Sequence, residues 1–97
     1  MDIALLTLNF NTLLSEKIIK LENTDPRELY GSNNRYLNLI KANFPELKIT
    51  ARGLQLKVNG EEKRISYFED KIQEIVKHLG RYNALTINQL ERILKDE

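Results

Sequence analysis

The sequence predicts one α+β domain, a three-stranded sheet packed by helices in two layers. Three observations lead there. Residues 47–58 alternate apolar and polar on both sides of a glycine, as a β-hairpin does. Residues 61–79 repeat apolar side chains at helical spacing. Helix-start and helix-stop residues mark out three further short helices. Ninety-seven residues suit one domain with a modest core. A hydrophobic share of 41% beside a charged share of 30% places the chain among globular proteins rather than disordered ones.

The elements follow in order. "EKIIKLE" is rich in β-branched residues and bounded by "NTDP", which predicts a strand at 17–22. Asp25-Pro26-Arg27-Glu28 starts a helix. Asp25 can accept from the free amides, Pro26 suits the first helical position, and Glu28 can reach back as in a capping box. Gly31 supplies a left-handed stop, so this helix runs only to Tyr30. A second helix starts at Ser32–Asn34. Its Leu37, Ile40 and Phe44 share one face, and Pro45 ends it.

In "LKITARGLQLKVNG", Leu47, Ile49 and Ala51 alternate with Lys48, Thr50 and Arg52. Leu54, Leu56 and Val58 alternate with Gln55, Lys57 and Asn59. An Arg52-Gly53 loop sets Ala51 against Leu54, Ile49 against Leu56 and Leu47 against Val58, with all six apolar residues on one face. The long helix carries Ile65, Phe68, Ile72, Ile75, Val76 and Leu79 as one stripe, and Gly80 stops it. Thr86-Ile87-Asn88-Gln89 reads as a capping box, with Leu85 placed to staple onto Leu90. Leu90, Ile93 and Leu94 make a last amphipathic helix at 87–95.

The expected order is β-α-α-β-β-α plus a C-terminal helix. Residues 1–15 read as a leader, 16–80 as the domain, and 81–97 as a C-terminal helix leading onward. The opening "MDIALLTLNFNTLL" lacks the basic start and small-residue cleavage site of a signal peptide. Thr7, Asn9, Asn11 and Thr12 interrupt it, so it is too short and polar to span a bilayer.

Several chemistries find no residues here. There is no cysteine for a disulfide or thiolate site. His78 is the only histidine, so no second imidazole supports it at a metal or a nucleophile. Near a helix C-terminus it reads as a dipole-compatible surface residue. Glu61 and Glu62 fall at a helix start, where carboxylates are favourable. Glu69, Asp70, Lys71, Glu74 and Lys77 read as a solvated helix face with weak pairs. None of the four glycines opens a G-x-x-x-x-G-K-[ST] run, so no ATP-cradling loop and no enzyme activity is expected of this chain.

Charge is unevenly spread. Residues 15–60 hold eight Lys/Arg against five Asp/Glu, a balance of +3, and residues 61–97 hold seven against eight, a balance of −1. An anionic partner therefore prefers the first half.

Within that half lies "ELYGSNNRYLNLIKANFP". A glycine lets backbone approach a phosphate closely, and free amides at a helix start favour an anion. Arg35 adds a charge-assisted contact. Lys41, Lys48, Arg52 and Lys57 extend a basic surface if the fold gathers them. Tyr30 and Tyr36 flank the loop, either stacked on bases or packed half-buried. The same loop residues also fit a plain corner, with Gly31 as C-cap and a Ser or Asn as N-cap. Both readings stand on the sequence.

The element order also occurs in KH domains, which bind single-stranded nucleic acid with a GxxG loop between two helices. Gly31-Ser32-Asn33-Asn34 occupies that place, with Asn34 where the second glycine stands. More specifically, "LYGSNNRYLNLIKANFPELKITARGLQLKVNG", the long helix and "RYNALTINQLERIL" resemble the N-terminal KH-like region of PhoH family proteins. These are bacterial, cytoplasmic P-loop ATPases. Leu29, Gly31, Ile49, Ala51, Arg52, Gly53 and Gly60 match the family pattern, over about residues 16–95. The resemblance implies a KH-like fold, a cytoplasmic location away from membranes, and an attached ATPase domain that binds ATP and Mg²⁺. This chain itself holds no cofactor in that picture. The implied partner is single-stranded RNA, contacted by Gly31, Ser32, Asn33, Asn34, Arg35, Lys41, Lys48 and Arg52. The alternative is an interaction or oligomerisation domain that packs on the ATPase. Such a domain needs an exposed apolar patch, for which the C-terminal helix is a candidate.

Overall fold

The computed structural model describes residues 14–96. Three antiparallel strands form one sheet in the order β1-β3-β2, with β1 at Leu14–Lys20, β2 at Lys48–Arg52 and β3 at Gln55–Glu61. Four helices complete the α+β fold: α1 at Pro26–Tyr30, α2 at Arg35–Asn43, α3 at Glu62–Tyr82 and α4 at Ile87–Lys95. Of the expected leader, residues 1–13 lie outside the described residues, and Leu14 and Ser15 belong to β1.

The core lies between the sheet and the helices. β1 contributes Ile19 and β2 contributes Ile49, while Leu56 and Val58 on β3 stand between them. Phe68, Ile72 and Ile75 of α3 press on this face, and none is more than 1% exposed. Phe44, at the end of α2, meets the Phe68 ring edge-on at 5.0 Å. Burying side chains of this size contributes roughly 1.5–3 kcal/mol each. Leu90 and Leu94 bring α4 into the same core.

The hairpin differs from the sequence reading. Arg52 pairs with Gln55, Ala51 with Leu56 and Ile49 with Val58, so the two loop residues are Gly53 and Leu54. Gly53 has φ +56° and Leu54 is not among the residues with positive φ. A positive φ at the first central position alone is the II′ arrangement, which wants glycine first rather than second. The shift is two residues in the pairing sum, so Leu56 and Val58 keep their face. Leu54 leaves the core for the turn and is half exposed.

Two boundaries also move. β1 runs 14–20 rather than 17–22, and Leu21 packs inward beyond its end, its amide donating to the Leu54 carbonyl at 2.7 Å. Gly80 lies inside α3, and Asn83, at φ 56°, ends the helix three residues later. Asn tolerates the left-handed conformation better than other non-glycine residues, so it replaces glycine as the stop. The Thr86–Gln89 capping box forms in both directions.

Lys71 is not a solvated residue. It is 4% exposed, and its ammonium donates to the Ile93 carbonyl at 2.9 Å and to the Asp96 carbonyl. It thereby satisfies carbonyls at the C-terminal end of α4, where a cation is favourable.

Candidate nucleic-acid interface

The turn between α1 and α2 is built by glycine and two asparagines. Asp25 caps α1, its carboxylate accepting from the Arg27 amide at 3.0 Å. The Arg27 side chain also bonds to Asp25, and this contact first, with the amide second, holds the Asp25 carboxyl below its usual range. Gly31 ends α1 at φ +76°, its amide donating to the Arg27 carbonyl at 3.0 Å. Ser32–Asn34 make one 3₁₀ turn, with Asn33 and Asn34 both left-handed at φ 54° and 59°.

Asn34 occupies the N-cap of α2 but makes no side-chain cap bond. A side-chain cap needs the extended backbone that Asn34 lacks. The corner reading is therefore met at Gly31 and not at the N-cap.

Gly31 has a folding reason of its own. A Cβ there would lie 2.8 Å from the Tyr36 ring. Tyr36 is buried, and its hydroxyl donates to the Leu85 carbonyl at 2.8 Å. The glycine lets this ring cross the loop and tie α2 to the segment before α4. Tyr36 is therefore not free to stack on a base. Arg35 is drawn the same way, with its guanidinium 5.1 Å from the Tyr36 ring centre and 3.4 Å from the hydroxyl.

Tyr30 takes the other direction. It is half-buried, and its hydroxyl donates to the Gly53 carbonyl at 3.3 Å. Burial raises its pKa. This bond sets the end of α1 beside the β2–β3 turn. A concavity of about 400 Å³ opens at the loop, lined by Pro26, Arg27, Tyr30 and residues 31–34.

The eight expected contact residues fall into three places. Gly31, Ser32, Asn33, Asn34 and Arg35 form the loop. Lys48 and Arg52 point away from the helices, on the outer face of β2. Lys41 is exposed on α2, about 9 Å along the helix from Arg35. The helices cover the inner face of the sheet, so Lys41 does not join Lys48 and Arg52. Lys57 does share their face, and so does Lys20, which the sequence reading did not group with them. The signal for Lys20 was ambiguous because Ile18 and Ile19 are both apolar. Only the register shows that Ile19 points inward and Ile18 and Lys20 outward.

A second cleft, of about 340 Å³, separates the β1–α1 turn from the end of α3. It is lined by Asn23, Asp25, Glu28 and Asn83 among others, and the only charges lining it are carboxylates. That chemistry repels phosphate. Among the described residues no group of three or more His, Cys, Asp or Glu side chains is placed to hold a metal ion, and no helix is long and apolar enough to cross a membrane.

No family model, curated protein or solved structure matches the chain.

Proposed function

We propose that this domain is an accessory module that holds single-stranded RNA for an attached ATPase of the PhoH kind. ATP and Mg²⁺ would be held by that attached domain. The observation that supports this reading most is the Tyr30–Gly53 bond. It ties the last residue of α1, immediately before the Gly31–Asn34 loop, to the turn that follows Arg52. The order β-α-α-β-β-α, with a tight turn joining the first two helices, is the arrangement that KH domains use to clamp an RNA backbone.

The competing reading is an interaction domain using α4. It finds less support, because α4 spends its apolar stripe inside its own domain. Leu90 is 0% and Leu94 is 6% exposed.

The test is a binding titration with mixed-sequence RNA at low salt. Wild type is expected to bind with a dissociation constant of roughly tens of micromolar or weaker. A Ser32→Asp/Asn33→Asp variant places two carboxylates beside the backbone path. Both positions are exposed, and Asp tolerates the left-handed conformation as Asn does, so the fold should survive. Binding should fall at least tenfold, and Arg35→Ala should weaken it less. Equal binding by wild type and the double variant would contradict the reading.

A further inference from the structure

The outer face of the sheet carries its net positive charge at one end. Three rows cross it: Lys20–Gln55–Arg52 nearest the turn, then Ile18–Lys57–Thr50, then Glu16–Asn59–Lys48. The two rows by the turn hold three cations and no carboxylate. Glu16 and Glu61 lie toward the other end. Lys57 reaches Glu16 at 3.4 Å, an exposed pair of little strength. Lys20 and Arg52 have no carboxylate within ion-pair distance among the described residues.

Ile18, Thr50, Arg52, Gln55 and Lys57 line a shallow groove of about 220 Å³, and Lys20 flanks it as the strand partner of Gln55. Apart from the weak Lys57–Glu16 pair, its surroundings do not account for these cations. The helices pack on the opposite face, and Lys20, Arg52 and Lys57 are all exposed. A fold gains nothing from crowding three like charges across about 10 Å of strand spacing. A polyanion does gain from it.

We propose that this groove is a second contact surface for the same RNA, taking its phosphate backbone after the strand leaves the loop and rounds the Gly53–Leu54 turn. The proposal rests on the RNA-binding reading above and extends it from Arg52 to Lys20, Lys57 and the groove between the strands. The chemistry points to backbone rather than base recognition. Among the described residues the outer sheet face has no aromatic side chain to stack on a base. It offers ammonium and guanidinium donors, with Gln55 and Thr50 between them and Ile18 as an apolar floor. The contact should therefore be indifferent to base sequence, dependent on RNA length and sensitive to salt.

The test compares a tetranucleotide with a dodecanucleotide of RNA, using Lys20→Gln/Lys57→Gln and Ser32→Asp/Asn33→Asp variants. A tetranucleotide is the length that a KH loop clamps. Wild type should bind the longer RNA more tightly and with a steeper salt dependence. The lysine variant should bind the tetranucleotide as wild type does. It should bind the dodecanucleotide about tenfold more weakly. Its slope of log K against log salt should shrink by about 1.4, the value for two lost single-strand contacts.

If the lysine variant matches wild type on both lengths while the loop variant loses binding, the groove proposal is overturned and the loop reading stands. If the lysine variant loses binding and the loop variant does not, the groove stands and the loop reading fails. If neither RNA binds wild type at low salt, both fall. Capture of the chain by phosphatidylserine vesicles through Lys20 and Lys57, with no binding of the dodecanucleotide, would also overturn it in favour of a lipid surface.

Discussion

The α1–α2 loop and the turn end of the outer sheet face are explained in opposite ways. Most of the loop's distinctive residues are used by the fold. Gly31 clears the Tyr36 ring, Tyr36 anchors Leu85, and Arg35 lies along Tyr36. The sheet face is the reverse. Lys20, Arg52 and Lys57 cover no core and satisfy no buried group. A motif that resembles a binding loop can owe its residues to packing, while three exposed cations on the sheet have no role in the fold beyond the weak Lys57–Glu16 pair. The difference separates two kinds of substitution, those that damage the fold and those that touch only a ligand.

Gly31→Ala should show the largest effect on stability. The new Cβ would meet Tyr36 at a position whose φ is +76°. Left-handed strain and the displaced ring together should cost about 3 kcal/mol. Urea unfolding should show this as a lower midpoint with an unchanged slope. A loss under about 0.5 kcal/mol would mean that Tyr36 does not hold the corner.

Tyr36→Phe keeps the ring and removes its hydroxyl. The Leu85 carbonyl then loses a buried donor, at a cost of about 1 kcal/mol. The same measurement on the lysine pair should give changes within about 0.5 kcal/mol, because both side chains are exposed. An equal loss in Tyr36→Phe and the lysine pair would erase the contrast between the two regions.

Much of this division could be read in the sequence, and the parts that could not share a cause. Helix stripes, the Thr86–Gln89 box and the Asp25 cap depend on residues a few positions apart, and they form as expected, although Glu28 does not return the Asp25 bond as a capping box would. Features that depend on distant partners did not show. Tyr36 looks like a candidate stacking residue until Leu85 is seen across the loop. Lys71 looks solvated until α4 folds over it. The hairpin turn slid by one residue because both placements keep Leu56 and Val58 on the inner face. Only the II′ requirement for glycine in first position separates them. The place of Lys20 in the basic groove was hidden for the same reason. Lys20 and Arg52 lie thirty-two positions apart in the sequence and flank the same Gln55 through the strand pairing.

The smallest expected effect is on pH dependence. The lowered Asp25 carboxyl favours the folded state above the ordinary carboxylate pKa. That contribution should be lost as pH falls through the folded value, below about 4. Asp25→Asn should flatten this part of the acid limb in a urea titration across pH 2–6. Identical limbs in both proteins would show that Arg27 does not hold the α1 cap.

The most direct test is an amide chemical-shift map of the labelled chain titrated with the RNA dodecanucleotide at low salt. Saturable shifts should appear in Gly31–Arg35 and in Lys20, Gln55, Arg52 and Lys57, and should fade together as salt rises. Shifts confined to the α3–α4 surface around His78, Tyr82 and Ile87, or none at all, would contradict the RNA-binding account.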